Sequence, residues 1–354
     1  MARAHTIKSI AEKAGVATAT VARVLHGRGY VAEATREKVL KAVQEADYRI
    51  NHIARSLKRN RSNVIGHILK SITPNPFYVM VARGVEDYCR ERGYTVLTYN
   101  VQDDANTEAK GVETFLNWRA DAIIFTTPTS AANVELARNS GRPVVQVERP
   151  QTDETDRIVV DNYRGAQDAT THLLELGHRR IGFVGQAFYP DWSALSSYVE
   201  TERFGGYRDA MVAANAFDEK LVYFGRSYSL DQLEAQTMPL SDGYAAMQKW
   251  MAAGPLPTAV FASSDFLASG VLQAAQASGI AVPRDLSVIG YDDTIATLLA
   301  PLLTTVRMPA YEIGLAAAQL AIERLSDSVD PQPRENRLET TLIHRASVAP
   351  PPKR

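Results

Sequence analysis

Several residues able to bind a small molecule follow short apolar runs of the kind that form buried strands. Phe77 and Tyr78 come after VIGHIL, Glu148 after VVQV, Asp265 after AVFASS and Asp292 after LSVIGY. Ligands of open α/β sheets bind beyond the carboxyl ends of the strands, so these positions are predicted to line one site. Aromatic rings combined with carboxylates suit a polyhydroxylated ligand, because the rings cover its apolar face while fixed polar groups orient it.

Each of these residues also has a purely structural interpretation. Asp265 begins a helical stretch and can cap it. Glu148 can pair with its neighbour Arg149, and the Phe77 ring can belong to a hydrophobic core.

The elements that must position these residues repeat along the chain. From Val64 onward, strand-like runs alternate with helical stretches, and the pattern restarts after RIVVD. Repeated β-α units of this length predict parallel sheets with helices on both faces, here in two Rossmann-like lobes.

The first 61 residues differ from this body in charge. They contain 13 Lys and Arg against 5 Asp and Glu, whereas the rest of the chain carries 26 against 35. A basic head on an acidic body indicates a module that binds a polyanion such as nucleic acid. A solvated basic tail is the alternative, but KSIAEKAGVATATVARVL has the apolar periodicity of helices.

Three short helices are predicted in this head, the first capped by Thr6 and ended by Gly15. A helix from about Thr18 to Leu25 follows the glycine turn, and AEATREKVLKAVQEADY predicts a third helix. This is the arrangement of a helix-turn-helix, whose second helix enters the DNA major groove. Its exposed residues would be Thr18, Ala19 and Arg23, with Arg23 able to pair with guanine. A small helical bundle without DNA function is the alternative.

The head and the body together resemble the lactose-repressor/galactose-repressor (LacI/GalR) family of bacterial transcription regulators. The resemblance lies in TIKSIAEKAGVATATVARVLHGRGYVAEATREKVLKAVQEADYRINHIARSLK, NPFY, VVDNYRGA, HLLELGHRRIGFVG, RFGGYRDAM, PTAVFASSD, VPRDLSVIGYDD and APLLTTVRMP. It covers nearly the whole chain. Ala17 departs from the family, which usually has a serine there that caps the recognition helix.

The resemblance implies a fold, partners and site residues. The fold is an N-terminal all-α helix-turn-helix head plus an α/β periplasmic-binding-protein-like core of two Rossmann-like lobes. The partners are a pseudo-palindromic double-stranded DNA operator, a sugar-like effector and a second copy of the chain in a homodimer. Arg203 and Asp292 match the family's effector-binding arginine and aspartate. Leu57 matches the leucine of a hinge helix that wedges into the minor groove.

The predicted site residues form two groups. The candidate DNA-binding residues are Thr6, Thr18, Ala19, Thr20, Arg23, His26, Asn51, Ala54, Leu57 and Lys58. The candidate effector-binding residues are Phe77, Tyr78, Glu148, Trp192, Arg203, Asp265 and Asp292. Trp192 belongs to an aromatic stretch, GQAFYPDWSALSSYVETERF, that is longer than in the relatives and is either a wall of the site or an exposed loop.

The predicted domains are a head at 1–49, a hinge helix and linker at 50–62, a core at 63–346 and a tail at 347–354. Lobe 1 is predicted at about 63–161 and 293–325, and lobe 2 at about 162–292 and 326–346. The chain would therefore cross between the lobes near 161–164, 291–294 and 325–328.

Other protein classes are disfavoured by the sequence. The chain contains no G-x-S-x-G, Walker A, G-x-G-x-x-G or H-E-x-x-H motif, so we expect neither catalysis nor a cofactor nor a metal. The N-terminus has no apolar signal sequence, which favours a cytoplasmic protein over a secreted solute-binding protein. We therefore expect a repressor whose operator affinity is controlled by a sugar or sugar derivative. A regulator of the same fold that responds to a purine or another metabolite is the alternative.

Overall fold

A computed structural model describes residues 6–26, 29–46, 48, 61–72, 75–186, 198–225, 240–326 and 332–353. The chain forms two compact units, residues 1–62 and residues 63–354. Within the described ranges, no helix has the length and apolar character needed to cross a membrane.

The described part of the first unit is helical, as predicted. It contains α1 (Ile7–Ala14), α2 (Thr18–His26) and α3 (Glu33–Glu45). Thr6 caps α1 in a reciprocal capping box with Ser9, and Gly15 ends the helix with a left-handed φ of 66°. Because residues three or four apart share a helix face, the three helices bury a common small core. The buried residues of this core are Ile10, Ala11, Val21, Val24, Val39, Ala42 and Ala46.

The second unit alternates strands and helices. Its elements up to the middle of the chain are β1 (Val64–Leu69), α4 (Pro76–Glu91), β2 (Thr95–Asn100), α5 (Ala105–Asn117), β3 (Ala122–Thr126), α6 (Ala131–Asn139), β4 (Val144–Val147), β5 (Asp156–Val160) and α7 (Asn162–Glu175). They are followed by β6 (Ile181–Gln186), α8 (Tyr198–Ala213), β7 (Val222–Gly225), α9 (Leu240–Ala253), β8 (Ala259–Ala262), α10 (Asp265–Ala277), β9 (Ser287–Asp292), β10 (Thr304–Arg307), α11 (Ala310–Glu323), β11 (Glu335–Leu338) and β12 (Thr341–Ile343).

These strands form two six-stranded sheets, one in each lobe. The sheet of lobe 1 has the order β11-β5-β4-β3-β1-β2, and that of lobe 2 has the order β12-β10-β9-β8-β6-β7. The pairings are parallel except that β12 runs antiparallel to β10. The strands β3, β4 and β8 are buried along their whole length, as expected for parallel strands covered on both faces. The prediction of two α/β lobes is confirmed.

The sheet order corrects two of the predicted crossings between lobes. The first crossing lies between β5 and α7, within the predicted range. The second lies between β10 and α11 rather than near 291–294. The chain is still in lobe 2 at β10, because β10 pairs with β9 in the sheet of that lobe. The third lies between β11 and β12 rather than near 325–328, because β11 pairs with β5 of lobe 1.

The stretch predicted as a tail is also part of lobe 2. The buried Ser347 hydroxyl donates to the Val288 carbonyl oxygen at 2.6 Å and accepts from the Thr304 backbone N–H at 2.8 Å. The Ser287 hydroxyl donates to the Ala349 carbonyl oxygen at 2.9 Å. These bonds attach residues 347–349 to β9 and β10, so this stretch belongs to lobe 2.

Close contact between helices stabilises lobe 1. Gly84 of α4 and Gly314 of α11 face each other so closely that a Cβ atom at Gly84 would overlap the Tyr311 carbonyl oxygen. The backbone of α11 therefore packs directly against the backbone of α4. This contact holds α11, which follows the second crossing, in lobe 1.

Candidate functional site

The second helix of the head presents a polar and small-residue face. Val21 and Val24 are buried against the other helices, as predicted, whereas Thr18, Ala19 and Arg23 are exposed. The Ala17 carbonyl oxygen accepts the first hydrogen bonds of α2, from the backbone N–H groups of residues 20 and 21. The exposed face thus combines a hydroxyl, a methyl and a guanidinium, the groups that read base edges in a major groove.

The remaining predicted DNA-binding residues have varied positions. Thr6 is exposed, and its hydroxyl oxygen accepts the backbone N–H of Ser9 at 3.2 Å. Thr20 is half-buried and His26 is the last residue of α2. Four others lie outside the described residues: Asn51, Ala54, Leu57 and Lys58.

In the core, three strand ends have unusual backbone conformations. Thr127 after β3, Glu148 after β4 and Asp292 at the end of β9 have φ values of 58°, 73° and 100°. Positive φ is unfavourable for residues with a side chain and is tolerated where the surroundings enforce it, often at functional sites. All three residues have polar side chains, and they lie at the strand ends where the sheet rule predicts a ligand.

Arg203 is the central cation of the site. Only 4% of its surface is exposed, although it carries a permanent charge. Its Nε donates to Asn162 Oδ1 at 2.8 Å and its Nη1 to the Ser263 carbonyl oxygen at 2.6 Å. Its guanidinium carbon lies 3.7 Å from the centroid of the Tyr291 ring. The guanidinium is therefore held in one orientation by groups of lobe 2.

Asp292 is the main partner of this cation. Its Oδ1 lies 3.4 Å from Arg203 Nη1, and its Oδ2 accepts from Asn75 Nδ2 at 3.3 Å. Burial raises the pKa of Asp292 to about 6, although the positive charge of Arg203 opposes the change. Asn75 caps α4 of lobe 1, whereas Asp292 ends a strand of lobe 2. A single carboxylate thus connects the two lobes at the site.

Glu148 brings a second carboxylate from lobe 1. It is 5% exposed, and burial raises its pKa to about 7 against the opposing charges of Arg203 and then Arg149. Within the described part of the chain its Oε1 accepts no hydrogen bond. The alternative that Glu148 serves only to pair with Arg149 does not account for this atom.

Asp265 has a structural role within lobe 2. It is fully buried, and its Oδ1 accepts from the Thr305 hydroxyl at 2.6 Å. Its Oδ2 accepts from the backbone N–H groups of Thr294 at 2.8 Å and Ile295 at 3.4 Å. Ser264, not Asp265, caps α10. Both oxygens therefore have internal donors, and Asp265 holds the loop that follows Asp292, whereas its contact with a ligand stays a prediction.

The aromatic pair also divides into two roles. Phe77 is 5% exposed and packs in the hydrophobic core, with its ring 5.4 Å from that of Tyr78. Tyr78 is half-buried. Burial raises the pKa of Tyr78 to about 12, and a hydrogen bond with the Thr127 side chain partly opposes this change. The Tyr78 hydroxyl therefore lies at the β3 end of the site, whereas the Phe77 ring supports it from the core. Trp192 lies outside the described residues.

Several members of the site were not predicted. Asn75, Asn162 and Ser263 contact Arg203 or Asp292 directly, and Glu200 lies one helical turn before Arg203. Asn162 and Ser263 each lie at or just after a strand end, so the rule used for Asp292 could have found them. Within the described ranges, no group of three or more His, Cys, Asp or Glu side chains is placed to hold a metal ion.

A helix-turn-helix head attached to a two-lobed core with polar strand ends defines the class of ligand-responsive DNA-binding regulators. Residues 6–51 match the family of bacterial regulatory proteins, lacI family, and residues 170–348 match the periplasmic binding protein-like domain. The chain belongs to the lacI family and is a DNA-binding transcriptional regulator. Its predicted membership of this family is confirmed.

Relatives of known identity match over nearly the full length. The chain is 34% identical to the HTH-type transcriptional repressor PurR of Vibrio campbellii, over 97% of this chain and 98% of the relative. It is 30% identical to the ribose operon repressor of Haemophilus influenzae, over the same shares. A solved transcriptional regulator CelR-cellobiose complex is 29% identical with a TM-score of 0.69, over 97% of this chain and 99% of that one. The lac repressor dimer bound to operator and anti-inducer has a TM-score of 0.81 at 23% identity, over 98% and 100%, which supports the fold.

Proposed function

We propose that this regulator is a repressor whose affinity for a pseudo-palindromic operator is controlled by a small molecule bound between the lobes of the core. The supporting observation is the Asn75–Asp292 hydrogen bond, because it joins a helix cap of lobe 1 to a strand end of lobe 2 beside the buried Arg203. A ligand that bonds to Asp292 and Arg203 would change the contacts between lobes. It can shift the balance between two states only by binding one more tightly than the other.

The site is proposed to bind its ligand without transforming it. Its polar groups fix orientation: a guanidinium with carboxylates around it, and the Tyr78 hydroxyl at the β3 end. This is the lining expected for a ligand rich in hydroxyl groups, so a sugar or sugar derivative is the proposed effector. The relatives named for a ribose operon and crystallised with cellobiose support the same class.

A purine is the second candidate effector. The relative named PurR has the highest identity among those described above. The half-buried Tyr78 ring, supported by Phe77, offers an aromatic face on which a planar base can stack. The two candidates differ in what they need, since a base requires stacking and a sugar requires several hydrogen-bonding partners.

We propose that the DNA-binding unit is a homodimer acting in the bacterial cytoplasm, where its operator is located. A dimer with twofold symmetry reads two half-sites related by the same symmetry. The predicted contacts are Thr18, Ala19 and Arg23 in the major groove and the hinge residue Leu57 in the minor groove.

The function is tested by selecting duplexes from a random library with the full-length chain and measuring their affinity with and without metabolites. Ribose, cellobiose, hypoxanthine and guanine are the first metabolites to test. We expect enrichment of a palindromic sequence and a change of its dissociation constant by at least about tenfold with one metabolite class. The Arg203→Ala variant should bind the operator but lose the response. The matched Arg208→Ala variant removes a more exposed arginine of the same helix and should keep it. Binding to all duplexes alike, with every metabolite, would contradict the proposal.

A further inference from the structure

Glu200 is a buried acid at the effector site that the sequence did not single out. It lies in the first turn of α8 and is 4% exposed. Carboxylates are almost never buried to this degree without partners, because leaving water is costly for a charge. Yet within the described ranges its Oε2 accepts no hydrogen bond.

Its position places Glu200 beside the central cation. Residues three apart on a helix are neighbours on one face, with Cβ atoms about 5–6 Å apart, so Glu200 and Arg203 share a face of α8. The electrostatic influence of Glu200 reaches Asp292 as well. Burial is the main cause of the raised pKa of Asp292, and the negative charge of Glu200 contributes to it.

Two more buried acceptors lie in the same place without a donor. Glu148 Oε1 comes from lobe 1, and Ser263 Oγ belongs to the residue whose carbonyl oxygen accepts from Arg203. Both side chains are more than nine-tenths buried, and neither atom has a hydrogen-bond partner in the described part of the chain. Acceptors from both lobes therefore lie near one guanidinium, on which the charges of Glu148 and Glu200 both act.

That guanidinium is already engaged elsewhere. Its Nε bonds to Asn162, its Nη1 to the Ser263 carbonyl oxygen and Asp292, and its Nη2 to the Met308 sulfur at 3.1 Å. The positive charge of Arg149 also acts on Glu148, as does the negative charge of Glu202, so two arginines face the four carboxylates of Glu148, Glu200, Glu202 and Asp292. The missing donors must come from another molecule or from another part of the chain, and an added anion would meet an excess of negative charge.

We propose that Glu200 is a ligand-binding residue that, together with Glu148, accepts hydrogen bonds from the effector. The site consequently takes a ligand whose hydroxyl or ammonium groups donate hydrogen bonds, and it rejects ligands that carry a carboxylate or a phosphate. This inference rests on the proposed effector function. It goes further by assigning a specificity-determining residue and the charge of the ligand.

The test uses the full-length chain and matched sets of probes that differ in charge. One set is glucose, glucosamine, glucuronate and glucose 6-phosphate, another is ribose and ribose 5-phosphate, and a third is cellobiose and cellobionate. A thermal-shift assay identifies the set whose members stabilise the chain. Calorimetry then measures the dissociation constant of each member of that set. In that set, the uncharged or amino member is expected to bind at least about a hundredfold more tightly than its anionic counterpart.

Variants separate a ligand contact from a structural role. In Glu200→Gln, the uncharged ligand should bind at least about fivefold more weakly. The ratio of the dissociation constant of the anion to that of the uncharged ligand should fall by at least about tenfold. Asp209→Asn removes one negative charge from a half-exposed position of the same helix and should change neither value. If Glu200→Gln does not fold, as judged by circular dichroism, the same two values are measured for Glu148→Gln.

The possible outcomes are distinct. An anionic probe that binds the unmodified chain more tightly than its uncharged counterpart overturns the proposal. It is also overturned if discrimination in Glu200→Gln equals that in Asp209→Asn, which would mean that other parts of the chain satisfy Glu200. If no probe stabilises the chain, and no metabolite changes operator affinity, the effector function itself is wrong and this inference falls with it. Both the effector function and this inference are supported if the uncharged probe binds the unmodified chain and its binding is weakened in Glu200→Gln but not in Asp209→Asn.

Discussion

Replacing Arg203 with methionine tests whether its charge stabilises the buried carboxylate of Asp292. The substitution keeps an unbranched side chain of similar length but removes the cation that lies 3.4 Å from Asp292. Asp292 is 6% exposed, and among the described residues the Asn75 amide would be the one side-chain donor left to it. Removing one partner of a buried ion pair typically costs about 3–5 kcal/mol, because the other charge stays buried without compensation. We expect Arg203→Met to lower the free energy of unfolding of the core by this amount at about pH 8.

The expected loss depends on pH, and its sign follows from the pKa of Asp292. Burial already raises this pKa to about 6, and the value rises further once Arg203 no longer opposes the change. The folded variant then binds a proton more readily than the unfolded chain, so its stability falls as pH increases through the raised pKa. At about pH 5 the acid is protonated in the folded state, and the loss should be markedly smaller.

Urea unfolding of Arg203→Met, Asp292→Asn and the double variant, followed by circular dichroism, measures these quantities. The double variant should recover much of the stability lost in Arg203→Met, because the Asp292 charge no longer stays buried without its cation. The reasoning is refuted if the loss in Arg203→Met is the same at both pH values. Strictly additive effects in the double variant would refute it as well.

Three further predictions concern single sites. Burial raises the pKa of Glu148 to about 7, so the ligand-free core should lose stability as pH rises from about 5 to 8, and Glu148→Gln should flatten this dependence in unfolding titrations. A methyl group at Gly84 would overlap the Tyr311 carbonyl oxygen, so Gly84→Ala should destabilise the core by about 1–3 kcal/mol in urea; an unchanged midpoint would show that the helices can separate without cost. Thr6→Ala removes the hydroxyl that accepts from Ser9 N–H and should destabilise the head by about 1 kcal/mol, measured on the full chain by hydrogen exchange of head amides, with core amides as the control.

Periodic features of the fold were predictable from the sequence, and long-range ones were not. Val21 and Val24 face the core of the head because the 3.6-residue period of a helix fixes which positions share a face. Two of the three lobe crossings were placed wrongly because strand membership depends on pairing partners distant in sequence. The strand Thr304–Arg307 is only four residues long and begins with two polar threonines. Its sequence therefore does not indicate that it pairs within the sheet of lobe 2.

The site shows the same division. The strand-end rule predicted Glu148 and Asp292, and both lie near Arg203 in the folded chain, since the carboxyl ends of parallel strands meet at the same edge of a sheet. It gives no information on donors inside the protein, and in the folded chain both oxygens of Asp265 accept hydrogen bonds from such donors. Its donors Thr294 and Thr305 come from a loop and strand some thirty to forty residues later, and only the folded chain brings them together.

The pairing of β11 and β12 affects how the protein can be made. Each lobe takes a strand from the stretch after residue 330, whereas the head consists of one continuous segment at the start of the chain. Domains form during synthesis from the N-terminus onward, so the ribosome delivers a complete head long before either sheet can close. A translation product that stops short of β11 would carry the whole helix-turn-helix but neither finished lobe, and so would lack the part proposed to answer to a metabolite.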